Sequence, residues 1–248
     1  MGAITDVYRI TQKPRDVFWN KYVCRPIAAV LVHLLRATPI TPNQITLAAL
    51  VVALGAAAIL LLWPGYFGLL VGVVVFELSY VLDCADGMLA RLRSVQSSAG
   101  HLLDFLMDEL KAFFIFATVA VRLYLASDDA RFLLLGLFGL TCLASGIAMT
   151  TFLRRPEITG ASRAEGEAEP APATPTRRSP ARRVLGLVES AAKFLIHYPS
   201  YILYVAIAGR IEVYFYAYIG VNGLYVLRAL ATVALRYGRF TRPPAPGT

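Results

Sequence analysis

Apolar runs long enough to cross a bilayer, separated by short polar interruptions, set the pattern of this chain. A helix spanning the hydrocarbon core needs about 20 apolar residues. Runs of that kind predict helices over residues 44–63, 67–90, 102–126, 131–153, 189–208 and 211–235. Brief turns punctuate them at Pro64-Gly65, Ser127-Asp128-Asp129 and Gly209-Arg210. Ahead of the first run, Thr41-Pro42 reads as a helix start, since Thr satisfies a free backbone N–H and Pro has none to lose there. Residues 1–14 are polar and expected to be loose. From Arg15 to Arg36, Val17, Trp19, Tyr22, Ile27, Val30, Leu31 and Leu34 alternate with Arg15, Lys21, Arg25 and Arg36. This is the composition of an interfacial amphipathic helix, with Trp and Tyr at headgroup level and Lys and Arg reaching outward. The alternative is a helix packed on the rest of the protein outside the membrane; Pro26 is a candidate kink.

The expected fold is therefore all-α: a polytopic membrane protein of about six transmembrane helices preceded by an N-terminal interfacial helix. Residues 1–42 form the N-terminal segment, 43–236 the transmembrane domain and 237–248 a tail. Within the domain, residues 154–188 differ in kind. Rich in Ala, Pro, Glu and Arg, they cannot bury a core and read as a flexible loop.

Composition sharpens this picture. Of 248 residues, 57% are hydrophobic and only 16% charged, and the mean hydropathy is +0.60. An ordinary soluble domain carries about 25% charged residues, so that class is excluded. The net charge of +8 would suggest nucleic acid as a partner of a soluble protein; here topology accounts for it, and no nucleic-acid partner is expected. Arg9, Lys13, Arg15, Lys21, Arg25 and Arg36 precede the first long helix, Arg91 and Arg93 separate the second from the third, and further arginines fill residues 154–188 and the tail. The opposite loops hold only Arg131 and Arg210, with Arg122 nearby. By the positive-inside rule both termini are expected in the cytoplasm, and with them the junction of the second and third helices. Cys24, Cys84 and Cys142 lack metal-type spacing and predict no disulfide framework. The start of the chain has neither an apolar core nor a cleavage site, so no signal peptide is expected.

The chemistry concentrates at that junction. Asp83 and Asp86 stand three apart, and Asp104 and Asp108 four apart, so on helices each pair can aim at one point. A single carboxylate near the bilayer centre costs roughly 2.5–3.5 kcal/mol on insertion scales, so the cluster needs positive charge among it. Arg91, Arg93 and Lys111 are the nearby cations, but the arrangement favours a metal. Hard divalent ions such as Mg²⁺ or Mn²⁺ take carboxylate oxygens, and two of them form the clamp used in phosphoryl-type displacement. Gly87 leaves the backbone open to a phosphate, and Arg91 can grip phosphate oxygens with its planar fork.

These residues carry a resemblance. Asp83, Asp86-Gly87, Ala90-Arg91, Gly100, Asp104 and Asp108, at these spacings, match the signature of the CDP-alcohol phosphotransferases without a mismatch. The resemblance covers roughly residues 40–235. It implies an integral-membrane enzyme, usually a homodimer, that moves a phospho-alcohol group from a CDP-alcohol such as CDP-diacylglycerol to an alcohol and releases CMP. It further implies that Asp83, Asp86 and Asp104 hold one ion, Mg²⁺ or Mn²⁺, that Asp83, Asp104 and Asp108 hold or face a second, and that Asp108 is the general base. Gly87 and Arg91 would contact the donor. Asn43 and Thr46 resemble the segment placed beside the cytidine, and Ser97 sits where a hydroxyl often nears the nucleotide.

The acceptor is less defined. If it is a phosphorylated polyol, Lys111, Arg154, Arg155 and Arg228 are the candidates to bind it, and Arg228 is the one that topology explains least. Alternatives are choline- or ethanolamine-type transfer to a lipid acceptor and, outside enzymes, a divalent-metal transporter. The chain lacks the repeat symmetry common in transporters. Glu77, about 120° from Asp83 around the helix, is expected to pair with another helix rather than join the site.

Overall fold

A computed structural model describes residues 2–12, 19–153, 155 and 198–237. The described residues form eight α-helices and one turn of π-helix, with no strand among them. In chain order these are α1 (Gly2–Ile10), the π-helical turn Asn20–Cys24, α2 (Arg25–Leu35), α3 (Pro42–Leu62), α4 (Gly65–Leu92), α5 (Ser98–Ser127), α6 (Arg131–Leu153), α7 (Tyr198–Ile207) and α8 (Ile211–Tyr237). Of these α3, α4, α5, α6 and α8, five helices, are long and apolar enough to cross a membrane. The helical polytopic class is thus as expected. The run expected at 189–208 is described only from Tyr198, and the 154–188 loop lies outside the described residues except for Arg155.

Helix ends follow local chemistry. Thr41 and Gln44 form a reciprocal cap on α3: the Gln44 amide donates to Thr41 Oγ1 at 3.3 Å and the Thr41 amide donates to Gln44 Oε1 at 2.9 Å. Ser97 caps α5 by accepting from the Gly100 amide at 3.0 Å. At the far end of α5, Asp128 takes the left-handed conformation and its amide donates to Tyr124 at 2.7 Å. Asp129 then receives the Arg131 amide at 3.0 Å and its guanidinium at 2.9 Å, which holds this exposed carboxyl below its ordinary pKa.

The chain divides into two compact units. The first comprises Met1–Leu133 and Tyr198–Phe215. In it α3 packs on α4 and α5, α2 and α7 pack on α4, and α1 packs on α2. Ala49, Ala53, Ala56 and Leu60 form the buried stripe of α3, and small residues at this spacing let helices approach closely in lipid. At Gly72 a Cβ would stand 2.6 Å from the Leu60 side chain, and at Gly68 it would meet the Trp63 carbonyl, so both glycines are needed for the tight α3–α4 hairpin. Phe116 of α5 stacks on Phe215 with ring centroids 5.4 Å apart. The second unit, Leu134–His197 and Tyr216–Thr248, brings the Thr150 and Tyr225 hydroxyls within 2.5 Å, while Gly146 makes room for the Tyr225 ring.

Two expectations for the N-terminal region need correction. Residues 1–14 are not wholly loose, because Gly2–Ile10 is helical, with Val7 buried against Cys24, Ala28 and Ala29 and with Ile4 and Tyr8 packed beside it. Arg25 does not reach outward. It is buried, and its Nη1 donates to the Thr11 carbonyl at 3.2 Å. Pro26 causes no break: the Arg25 amide reaches five residues back to Asn20, the π-helical register, and α2 starts there with Pro26 in its first turn. The exposed face of α2 carries the apolar residues Ile27, Val30 and Leu34.

Candidate functional site

The signature residues occupy the end of α4 and the start of α5, joined by a turn in which Ser94 has a positive φ of 56°. Because α4 and α5 run antiparallel from this turn, carboxylates on the last turns of one face those on the first turns of the other. Oxygen atoms of Asp83, Asp104 and Asp108 lie within 4.8 Å of one another, and all three residues are half-buried. Asp108 is the most open of those in ion pairs, its side chain 40% exposed against 15% for Asp83.

Part of the carboxylate charge is offset from inside the protein. Lys111 has no exposed surface, and its ammonium donates to Asp83 and, at 3.0 Å, to Asp108 Oδ1. The Tyr80 ring centroid lies 5.7 Å from the same nitrogen and adds the attraction of its π face. Among the acceptor candidates, Lys111 is therefore placed within the carboxylate cluster itself.

Asp86 takes a different partner. It is buried and accepts the hydroxyl of Thr46, whose oxygen also lies 3.2 Å from the Pro42 carbonyl. The segment of Pro42, Asn43 and Thr46 thus meets the signature through a contact of α3 with α4. Asn43, from the same turn of α3, is exposed, and its Oδ1 lies near Gly100, where a Cβ would stand 3.4 Å from it and 3.1 Å from Ser97 Oγ. Asn43, Ser97 and Gly100 therefore share one rim beside the cluster.

Gly87 lies beneath the Arg91 guanidinium, whose Nη1 would be 3.4 Å from a Cβ at that position. The Nε of Arg91 donates to the Thr11 carbonyl at 2.9 Å. Arg93, the other arginine of the junction, does not reach the carboxylates in these contacts. It donates to the carbonyls of Ile40, Thr38 and Leu35 at 2.6, 2.7 and 2.8 Å and so closes the α2–α3 loop.

Arg155, just past α6, and Arg228 of α8 are exposed and belong to the second unit; Arg154 lies outside the described residues. Glu77 accepts from Trp19 Nε1 at 3.1 Å, the pairing outside the site that its position on α4 suggested. Sequence reasoning missed the part played by Thr11, a backbone carbonyl with no side-chain signal, and the partnership of Tyr80 with Lys111. Tyr80 stands one helical turn before Asp83, which is the signal that was available.

The donor set of the cluster is made only of carboxylate oxygens, hard ligands that suit Mg²⁺ or Mn²⁺ and not a thiophilic metal. Residues 39–211 match the family model described as CDP-alcohol phosphatidyltransferase. No curated protein matches the chain.

Proposed function

The chain belongs to the CDP-alcohol phosphatidyltransferase family, membrane transferases of phospholipid synthesis that act on a CDP-alcohol donor and an alcohol acceptor, and from that premise we propose that it moves the phosphatidyl group of CDP-diacylglycerol to a phosphorylated polyol. The observation that carries this reading is the meeting of Asp83, Asp104 and Asp108 from two helices, with their oxygens within 4.8 Å.

In this reading Asp83, Asp104 and Asp108 hold a divalent cation, and Asp86, oriented by the Thr46 hydroxyl, borders it. The bound ion supplies Lewis-acid polarisation of the donor diphosphate and charge to stabilise departing CMP. Arg91 meets the diphosphate over Gly87, where no side chain blocks close approach. Asn43 and Ser97 line the rim that receives the cytidine. Asp108, the more exposed carboxylate of the Lys111 pairs, takes the proton of the acceptor hydroxyl. As that oxygen bonds to the β-phosphorus, the bridging P–O bond breaks and its electron pair leaves with CMP. Lys111 holds Asp83 and Asp108 in place. Arg154, Arg155 and Arg228 remain the candidates to bind the phosphate of such an acceptor.

The test is CMP release by purified protein with CDP-diacylglycerol, Mg²⁺ or Mn²⁺, and a panel of alcohols. Release that depends on one phosphorylated polyol is expected; release only with choline- or ethanolamine-bearing CDP donors would overturn the proposal. Asp108→Asn is expected to keep CDP-diacylglycerol binding while kcat falls by about 10²–10⁴, the range of general-base catalysis. Unchanged kcat would remove Asp108 from that role.

A further inference from the structure

The arginine of the signature is held from outside the signature. α1 ends at Thr11, a residue with no exposed surface, whose amide and hydroxyl both turn back to the Val7 carbonyl at 3.1 and 2.7 Å. Its own carbonyl points the other way, onto Arg91 Nε at 2.9 Å and Arg25 Nη1 at 3.2 Å. The carbonyl end of a helix carries partial negative charge and favours cations, so α1 offers a fixed acceptor to two arginines of other helices. With Nε bound there, the terminal nitrogens of Arg91 lie over Gly87, 3.4 and 3.7 Å from where a Cβ would be. An arginine side chain left free otherwise loses rotamer entropy each time it grips a ligand.

We propose that α1 is a positioning element for Arg91: it presents the Thr11 carbonyl to the guanidinium Nε and thereby directs the terminal nitrogens at the diphosphate of the nucleotide donor. The inference deepens the proposed function and rests on its assignment of Arg91 to the donor. What seats α1 is Val7, 4% exposed and packed in the cluster of Cys24, Ala28 and Met88, with help from the Tyr8 hydroxyl, which donates to the Lys21 carbonyl at 2.9 Å.

The test uses the full-length enzyme with CDP-diacylglycerol and the acceptor that supports turnover. Val7→Asp puts a charge under α1 and is expected to raise the donor KM about tenfold, the factor that about 1.4 kcal/mol represents, with kcat unchanged within about twofold. Val7→Ala, a milder change, is expected to raise it less and keeps the test open if Val7→Asp does not fold. Ile10→Ala, on the 69% exposed face of α1, is expected to leave the donor KM as it was. In an Arg91→Ala background the Val7 variants should add nothing, because the group they act through is gone. A Val7 effect that persists undiminished in that background, or that falls on kcat alone, overturns the inference. Arg91→Ala with an unchanged donor KM would instead overturn the donor assignment, and the inference with it.

Discussion

A lysine ammonium with no contact to water is tolerable only where carboxylates repay its desolvation, and the reverse holds for the carboxylates. Lys111, Asp83 and Asp108 meet both conditions together. Breaking a fully buried pair costs about 3–5 kcal/mol, and the solvent that reaches Asp108 lowers the figure here. Lys111→Met is therefore expected to lower the thermal unfolding temperature in detergent with a chelator present. Added Mg²⁺, able to balance the same oxygens, should recover part of the loss and stabilise the variant more than the native protein. Equal unfolding temperatures in chelator would refute the counter-ion role. The meeting of Asp83, Asp104 and Asp108 was legible in the sequence because helical spacing on either side of the turn aims them at one point. Asp86, expected with Asp83 and Asp104, is turned instead to Thr46. Lys111 was legible as a nearby cation for the cluster; its complete burial was not, since only tertiary packing decides it. Thr46 was legible as a site residue but its partner was not. The contact with Asp86 depends on how α3 lies on α4.

At the scale of elements, apolar runs located the long helices closely: the run at 44–63 is Pro42–Leu62, and that at 131–153 is Arg131–Leu153. Helix α1 escaped because Ile4, Val7 and Tyr8 make a single apolar turn in a polar stretch, and its docking partners Cys24 and Ala28 lie far along the chain. Arg25, Arg93 and Arg122 counted in the sequence as charges that mark sides, and each also ends on backbone carbonyls, a second role that charge counting does not reveal. Arg122 joins the carbonyls of Leu60, Trp63 and Gly65 at the α3–α4 turn, and Arg93 gathers the loop between α2 and α3. A planar fork with several donors can serve such a set of acceptors; an ammonium cannot match its geometry. Arg93→Lys keeps the charge and is expected to destabilise by about 1.5–3 kcal/mol, the worth of a charged hydrogen bond, as read by thermal unfolding in detergent. If Arg93→Lys unfolds with the native protein, charge rather than geometry is what the loop requires.

For the whole molecule the decisive quantity is the number of membrane crossings. Leu62, Phe67, Leu134, Leu137 and Leu224 are each more than 60% exposed, a surface that suits hydrocarbon and would aggregate in water. Helix α3 crosses and α4 returns, so the aspartate junction lies on the side from which α3 started, however many crossings follow. That side carries Arg25, Arg36, Arg91 and Arg93, the charge bias from which a cytoplasmic junction is expected. The far end depends on parity. The five long helices alone would leave residue 237 opposite residue 2, whereas a crossing over 189–208 would bring both ends to the same side. Ten residues of α7 reach about 15 Å, half the hydrocarbon thickness, so a crossing must include residues before Tyr198. Fusions of a reporter that is active only in the cytoplasm, placed before Gly2, within residues 64–66 and after Tyr237, separate the cases. Signal from both ends and none from the α3–α4 turn is expected. Signal from the first alone would show that α7 does not complete a span, and signal from the α3–α4 turn would put the aspartates on the face away from the cytoplasmic pool of nucleotide donors.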